Sequence, residues 1–238
     1  MMLPLIRQGL EDYGLTGRVA PRAAEELERY GQLLLEKNQV MNLTAITEPD
    51  QVARLHMLDC AALAAFCDLE GKRLLDVGTG AGFPGMVLKI LVPSLDVTLL
   101  DSLNKRLDWL NEVRISLGLT GIRTVHARAE EQSGDPDFRE GFDFVTSRAV
   151  ANLQMLSELC LPYVKVGGTF LAMKSVDSGE ELEAAERAIA TLGGQVSGVK
   201  DYVIPGTDVR HRLILIKKIK ETPKKYPRPF AKIKKNPL

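Results

Sequence analysis

The amino-acid sequence predicts an α/β fold, with a mostly parallel sheet that follows a helical N-terminal region. Short apolar runs alternate with longer helical patterns after residue 72, which is typical of parallel strands joined by right-handed helical crossovers. The first apolar run leads into a glycine-rich turn within residues 74–85, an arrangement with which many α/β sheets hold a ligand. At 238 residues and 45% hydrophobic content, the chain is long enough for one large domain with an appendage.

Residues 1–70 carry helical patterns and are predicted to form an N-terminal helical cap. Pro21 can begin a helix whose apolar side chains recur at helical spacing as far as Leu35. A second helix is predicted from Thr47, where a capping hydroxyl, an early proline and acids in the first turn come together. The polar residues 38–44 connect the two helices.

Residues 71–220 contain the alternating pattern and are predicted to form the ligand-binding domain. The predicted parallel strands are residues 73–77, 96–100, 122–127, 142–147 and 168–173. The predicted helices are residues 84–92, 104–117, 152–164 and 179–192. Two late apolar runs, residues 195–203 and 212–219, are separated by a short turn and predict an antiparallel pair at one edge of the sheet.

Residues 221–238 form a basic tail on an otherwise acidic chain. From residue 217 to the C-terminus nine bases accompany one acid, for a net charge of +8, and the other 22 bases and 30 acids leave the rest at −8. A basic segment on an acidic body indicates a polyanionic partner such as nucleic acid. Because prolines and lysines dominate residues 221–238, we expect this tail to be flexible when no partner is bound.

Other features of the sequence limit the class of protein. Cys60, Cys67 and Cys160 form no paired motif and the histidines show no ligand spacing, so we expect reduced thiols and no metal site. No apolar run reaches the ~18 residues of a membrane-spanning helix, and the N-terminus lacks the pattern of a secretory signal. We therefore expect a cytoplasmic protein with no membrane partner, and we expect it to be a monomer.

The glycine-rich turn favours S-adenosylmethionine as the cofactor. Asp76 ends the first strand, and Gly78, Gly80 and Gly82 follow at alternate positions, where a missing Cβ permits positive φ and close approach of a ligand. Asp76 would repel a pyrophosphate but attract the cationic amino group of a methionine tail. Pro84 removes an N–H group that a pyrophosphate would use. A dinucleotide, which matches the weaker pattern G-x-G-x-x-G, and a tight turn with no ligand are the alternatives.

Two further strand ends predict contacts with this cofactor. Asp101 ends the second strand about 20 residues after the glycines, where a carboxylate accepts hydrogen bonds from ribose hydroxyls. Ala129 and Glu130 follow the third strand, where a backbone N–H and a carboxylate can contact the edge of an adenine. The alternatives are that Asp101 caps the next helix and that Glu130 is a surface acid.

The residues around Arg148, at the end of the fourth strand, limit the kinds of methyl transfer that the sequence supports. The sequence lacks the Asn/Asp-Pro-Pro-aromatic cluster of methyltransferases that act on exocyclic amines, and the Pro-Cys pair of pyrimidine 5-methyltransferases. Arg148 cannot act as a base, but its guanidinium can hold a phosphate or the O6 and N7 edge of guanine. A salt bridge at the rim of the sheet is the alternative. Because N7 of guanine has a free lone pair, its methylation needs alignment of two reactants and no general base.

Several motifs follow one another along the chain in a specific order. They are Asn42-Leu43-Thr44-Ala45-Ile46, His56-Met57-Leu58-Asp59, residues 76–85, residues 100–106, Ser147-Arg148-Ala149, residues 172–174 and residues 222–228. From residue 38 onward this set resembles the bacterial 16S ribosomal RNA methyltransferase G family, also called glucose-inhibited division protein B. Cys60 departs from the pattern, because relatives usually have serine after the aspartate, and a hydroxyl is lost near the helical cap.

The resemblance implies a fold, a cofactor and a substrate. The fold would be a Rossmann-like class I S-adenosylmethionine-dependent methyltransferase, with a seven-stranded, mostly parallel sheet in the order 3-2-1-4-5-7-6 and an N-terminal helical extension. The reaction would be methyl transfer from S-adenosylmethionine to N7 of one guanine in 16S rRNA, presented as naked rRNA, small ribosomal subunit or assembly intermediate. The family's cofactor contacts carry over to Gly78, Phe83, Ala129, Glu130 and Arg148.

No catalytic residue is assigned from the sequence, and Arg148 and His56 are the candidates for positioning the guanine. Asp76 and Gly78 are expected at the methionine end of the cofactor. We expect deletion of residues 221–238 to weaken rRNA binding and to leave the affinity for the cofactor intact. Two other functions remain open, which are a methyltransferase acting on another RNA or a small molecule, and an RNA-binding assembly factor without catalysis.

Overall fold

The computed structural model describes residues 1–148 and 151–238, and within them the chain forms a seven-stranded sheet with helices on both faces. The strands are β1 (Arg73–Val77), β2 (Asp96–Asp101), β3 (Ile122–His126), β4 (Phe142–Arg148), β5 (Val164–Ser175), β6 (Gly194–Val203) and β7 (Arg210–Lys218). Their order is β3-β2-β1-β4-β5-β7-β6, with β7 antiparallel to β5 and to β6. The predicted strand order and the antiparallel pair at the edge are confirmed. Ala149, the last residue of the motif that ends β4, lies outside the described residues.

Helices precede the sheet and alternate with its strands. Before β1 they are α1 (Met2–Asp12), α2 (Ala23–Asn38), α3 (Pro49–Val52), a π-helical turn (Ala53–Leu58) and α4 (Asp59–Phe66). After β1 they are α5 (Gly85–Leu91), α6 (Asn104–Ser116), α7 (Ala129–Gln132), α8 (Leu153–Cys160), a 3-10 turn (Leu161–Tyr163), α9 (Gly179–Thr191) and α10 (Phe230–Lys235). Of the helices in the described ranges, none combines the length and apolar content that crossing a membrane would need.

The central strands are buried on both faces of the sheet. Leu74 and Leu99 pack on one face with the helices from α1 to α6, whereas Leu75 and Leu100 pack on the other face with α8 and α9. Neighbouring residues of a strand point to opposite faces, so a strand that is covered on both sides reads as a continuous apolar run. This double burial explains why the strands could be located from their sequence.

The helical cap shares its core with the sheet. Tyr30 of α2, Met57 of the π-helical turn and Leu63 of α4 are fully buried in the same apolar cluster as Leu74 of β1. A π-helical turn adds one residue to a helical turn and is frequent at functional sites. Here it carries His56, and its packing sets this side chain beside the end of β4.

The junction between the helix after β4 and strand β5 differs by about four residues from the sequence prediction. The helix predicted at residues 152–164 ends at Cys160, and β5 begins at Val164 instead of residue 168. Pro162 accounts for the difference, because proline has no N–H for a continuing α-helix and favours the short 3-10 turn that is seen.

The C-terminal tail packs against the domain, in contrast to the flexible tail that its composition predicts. Thr222, Tyr226 and Ile233 are buried, and the last two lie in the same apolar cluster as α8 and α9. Arg228 forms an ion pair with the buried Glu158 of α8. The composition is misleading because seven of the nine bases after residue 216 are exposed, whereas a few apolar residues hold the segment in place.

Candidate cofactor and substrate site

The glycine-rich turn after β1 is fixed against the end of β2. Gly78 and Gly80 have φ values of 69° and 58°, a left-handed conformation that residues with a Cβ rarely adopt. The N–H groups of Gly78 and Thr79 donate to the carbonyl of Leu100 at 2.8 and 3.0 Å. The N–H of Gly80 donates to Oδ2 of Asp101 at 2.9 Å. These bonds give the turn a defined shape before any ligand binds.

Asp76 lies beneath the turn and is fully buried. Its Oδ2 accepts hydrogen bonds from the Thr79 hydroxyl at 2.7 Å and from the N–H of Gly85 at 2.9 Å, so it joins the turn to the start of α5. Burial raises the pKa of Asp76 to about 6. Asp76 is absent from the described lining of the cavity beside the turn. It therefore supports the turn from below, and its contact with the methionine end of the cofactor stays a prediction.

The Cα of Gly82 faces the protein interior, and Gly82 is absent from the described lining of the cavity beside the turn, so its contact with the cofactor stays a prediction. A Cβ on Gly82 would lie 2.5 Å from the hydroxyl oxygen of Tyr30 and 2.8 Å from Cδ2 of Leu110. The Tyr30 hydroxyl donates a hydrogen bond to the carbonyl of Ala81. The close approach of α2 and α6 to the turn is by itself a reason for glycine at this position.

A cavity of about 480 Å³ opens beside the turn, at the C-terminal ends of the central strands. It brings together seven residues predicted at the cofactor, which are Gly78, Gly80, Phe83, Asp101, Ala129, Glu130 and Arg148. It also contains His56, predicted with Arg148 at the guanine. Residues from four strand ends and from the helical cap therefore meet in one place, as the rule for parallel sheets requires.

The cavity fits the chemistry of S-adenosylmethionine. A Cβ on Gly80 would meet only the carbonyl oxygen of Gly78, at 3.9 Å, so the space above the turn is open to a ligand. Asp101 and Glu130 place two carboxylates on the wall, which suits the hydroxyl and amino donors of an adenosine. The volume also falls within the roughly 300–1,000 Å³ of small-molecule sites.

Asp101 is held in a single orientation at the cavity wall. It is 4% exposed, and its Oδ1 accepts a hydrogen bond from the N–H of Leu103 at 2.9 Å. Nη1 of Arg106 lies 3.6 Å from its Oδ2, the oxygen that also accepts from Gly80. Asp101 therefore caps the loop before α6 and also lines the cavity. Its predicted role at the ribose and the alternative of a helix cap are compatible.

Ala129 and Glu130 begin the short helix α7 on the other side of the cavity. The hydroxyl of Tyr163, in the 3-10 turn before β5, donates to the carbonyl of Ala129 at 2.6 Å. This bond ties α7 to the body of the domain and leaves Glu130 at the lining.

Arg148 is the centre of a cluster that joins β4 to the helical cap. Its Nη1 donates to the carbonyl of Leu55 at 3.1 Å and to Oδ2 of Asp59 at 3.0 Å. Its Nη2 donates to Nδ1 of His56 at 2.9 Å. The guanidinium carbon lies 5.1 Å from the centre of the Phe83 ring, within the range of a cation–π contact. Four contacts thus hold the plane of the guanidinium in one position.

The hydrogen bonds of His56 determine its tautomer. Arginine only donates, so Nδ1 of His56 accepts from Arg148 and the ring proton is on Nε2, which lies 2.8 Å from the Thr44 hydroxyl. Burial and the charge of Arg148 lower the pKa of His56 to about 4. The ring stacks on Phe83 with a centroid distance of 4.5 Å. His56 is neutral near pH 7, with both nitrogens engaged, and this arrangement does not suit a general base.

Asp59 connects Arg148 to two residues that sequence reasoning missed, Tyr202 and His211. Its Oδ1 accepts hydrogen bonds from the Tyr202 hydroxyl at 2.8 Å and from Nδ1 of His211 at 2.7 Å. Burial acts to raise the pKa of Asp59, but the bond from His211 and the charge of Arg148 outweigh it and lower that pKa. His211 is 152 positions from Asp59, so no local pattern could have paired them.

Solved structures share this fold, and one of them is in complex with AdoMet. TrmN from Thermus thermophilus aligns with 67% of this chain and 48% of its own, at a TM-score of 0.52 and 23% identity. M. jannaschii TYW2 in complex with AdoMet aligns with 65% of this chain and 72% of its own, at a TM-score of 0.52 and 14% identity. Such identities show a shared fold. This fold, its glycine turn and the family match given next define a class I S-adenosylmethionine-dependent methyltransferase.

The family model described as rRNA small subunit methyltransferase G matches residues 23–211, and the chain belongs to that family. A relative of this name from Lachnoclostridium phytofermentans is 51% identical over 97% of this chain and 95% of its own. Another, from Clostridium perfringens strain 13, is 49% identical over 88% of each chain. The family resemblance and the fold predicted from the sequence are thereby confirmed.

Proposed function

We propose that the protein transfers the methyl group of S-adenosylmethionine to N7 of one guanine in 16S rRNA. The names of its relatives support a small-subunit rRNA as the substrate. The observation that carries the choice of N7 is the state of His56 and Arg148, which face the cavity with their proton-accepting positions engaged or already protonated. An atom with a free lone pair suits such a site better than an amine that must lose a proton.

The residues of this chain align the two reactants and compensate charge. S-adenosylmethionine, when bound, supplies an electrophilic methyl group on a sulfonium centre. Gly78 and Gly80 provide the backbone surface for it, and Asp101 accepts the ribose hydroxyls. Guanine becomes cationic when N7 is methylated, and a protonated imidazole beside it would oppose that change. His56 is held neutral, and the charge of Arg148 is balanced by Asp59 at 3.0 Å.

The bound rRNA would present its guanine as an unstacked base. In duplex RNA the deep, narrow major groove hides the N7 edge, so a loop or bulge is the form that can enter the cavity. Arg106 and Arg128 lie at the lining, and exposed lysines of the tail, such as Lys232 and Lys235, can contact phosphates independently of sequence. We infer strongly salt-dependent binding to rRNA, and activity in the cytoplasm, where bacterial ribosomal subunits occur. The monomeric state stays a prediction.

The test is methyl transfer from labelled S-adenosylmethionine to 16S rRNA and to small subunits that lack the modification. Reduction followed by aniline cleavage reports 7-methylguanosine and maps it. We expect one strong cleavage site, and no label with the variant Gly80→Ala, whose methyl group would occupy the cofactor surface. Label without cleavage would contradict N7 as the target. A protein that binds the cofactor but labels neither RNA would support the alternative, a methyltransferase acting on another RNA or a small molecule.

A further inference from the structure

The C-terminal strap, defined as residues 222–238, is attached to the domain by backbone and apolar contacts. The guanidinium of Arg139 donates to the carbonyls of Thr222 at 2.9 Å and Tyr226 at 3.0 Å. Tyr226 and Ile233 are buried against the face of the sheet that carries α8 and α9. The strap is therefore a built part of the fold, on the opposite face from the helical cap.

An ion pair anchors the middle of the strap to α8. The carboxylate of Glu158 is 1% exposed and accepts from the N–H of Arg228 at 2.8 Å and from its guanidinium at 2.6 to 3.2 Å. A carboxylate buried to this degree needs its partner, because an unpaired charge in a protein interior is strongly destabilising. The next residue of α8, Leu159, lines the cofactor cavity, so the anchor and the cavity are adjacent along one helix.

The helix that follows the anchor has two different faces. Phe230 lines the cofactor cavity, and Ile233, three residues later and therefore on the same side of the helix, is fully buried. Lys232, Lys234 and Lys235 are exposed. One short helix thus has an aromatic residue at the cofactor cavity and lysines at the protein surface.

We propose that the strap completes the cofactor site and that Phe230 is a wall for the adenosine end of the ligand. Phe230, Leu159, Ala129 and Glu130 line the same cavity, and both α7 and α10 pack on α8. An aromatic face adds to the binding of a flat heterocycle beyond the area it covers. The lysines of the same helix then place an RNA-binding surface directly beside the cofactor. From the sequence, deletion of the tail is expected to leave cofactor affinity intact. If Phe230 is part of the site, that deletion weakens cofactor binding as well as rRNA binding.

Calorimetric titration of the full-length protein with S-adenosylhomocysteine and with adenosine, in the absence of RNA, tests this assignment. Phe230→Ala should raise the Kd of both ligands about tenfold, because both contain the adenine. Phe230→Leu keeps an apolar side chain of similar volume without the ring face, and should give an intermediate Kd. Ala231→Ser, a change at an exposed neighbouring position, is the matched control and should bind like the wild type.

Two results would overturn the proposal. The first is a Kd for Phe230→Ala within about twofold of the wild type, which lies below the gain expected of an aromatic contact. The second result is a Phe230→Leu variant that binds both ligands as tightly as the wild type does. It decides the test if Phe230→Ala fails to fold. Because RNA takes no part in these titrations, they are independent of whether guanine N7 is the methylated atom.

Discussion

Nη2 of Arg148 donates a hydrogen bond to Nδ1 of His56 at 2.9 Å, and this contact assigns the proton of the imidazole to Nε2. Nε2 then donates to the hydroxyl oxygen of Thr44, which also accepts from the N–H of Ile46 at 3.0 Å. Because the Thr44 oxygen accepts these two hydrogen bonds, its own O–H remains to donate a third. Thr44 belongs to the cavity lining, so this donor is at the site. The relationship between Arg148 and His56 thus sets the hydrogen-bonding character of this part of the site.

The neutral state of His56 predicts how stability depends on pH. Its folded pKa is about 4, below its ordinary value of 6.5, so the unfolded chain binds more protons between these two values. His56 therefore makes the protein less stable as pH falls from about 6.5 to about 4, by about 3 kcal/mol at most. In the variant His56→Gln this contribution is absent.

Urea unfolding of both proteins from pH 7.5 to pH 4 measures this effect. As the pH is lowered, we expect the free energy of unfolding of the wild type to fall relative to that of His56→Gln. Parallel curves would show that the pKa of His56 is the same in the folded and unfolded protein, and would contradict the neutral, buried His56 described above.

Substitution by alanine is predicted to act mainly on ligand binding at Gly80 and on packing at Gly85. Gly80→Ala should fold, at a cost of about 1–2 kcal/mol for a left-handed alanine, because its Cβ has open space around it. It should nevertheless bind S-adenosylhomocysteine poorly, since that space is where the ligand approaches. Gly85→Ala would place a Cβ 2.5 Å from Cδ2 of Leu99 and 2.9 Å from Oδ2 of Asp76, and should lower stability by about 1–3 kcal/mol.

Thermal unfolding and calorimetric titration of the two variants separate these effects. A Gly80→Ala protein with unchanged affinity for the ligand would mean that the cofactor does not rest on the turn. A Gly85→Ala protein as stable as the wild type would show that Asp76 and Leu99 do not enclose this position closely.

The ion pair between Arg228 and Glu158 predicts a detachable strap. Arg228→Ala leaves the Glu158 carboxylate buried without its partner, and release of the strap is the least costly way to return that charge to water. We expect faster hydrogen exchange at the amides of α10 and trypsin cleavage at Lys224 or Lys225. The double variant Glu158→Met with Arg228→Met removes both charges and should keep the strap docked. Equal protection in wild type and Arg228→Ala would contradict the anchor.

Much of the fold is predictable from the sequence because its signals are local. Leu74 and Leu75 belong to a strand covered on both faces, so the apolar run is continuous and easily recognised. The packing of the tail against the domain could not be predicted from the sequence. Tyr226 and Ile233 are single buried residues among exposed lysines and form no periodic pattern. Composition describes the average residue of such a segment, whereas docking depends on a few of them.

The candidate site also contains some residues that a local sequence pattern predicts and others that only the complete fold brings together. Gly78, Gly80 and Asp101 follow from the strand–turn–helix pattern, and all three lie at the cavity. Gly82 has the same spacing but packs against Tyr30, and only the position of α2 in the fold separates the two roles. The contact of Asp59 with His211 joins the helical cap to β7, so it depends on the complete strand order.

The central claim is that the site transfers a methyl group by alignment, without taking a proton from the substrate. Single-turnover methyl transfer to 16S rRNA, measured from pH 6 to pH 9 with saturating S-adenosylmethionine, tests it most directly. We predict a rate constant that is nearly independent of pH, since N7 carries no proton and His56 stays neutral throughout this range. A rate constant that falls about tenfold per pH unit below an apparent pKa, in the wild type but not in His56→Gln, would identify a general base and contradict the account.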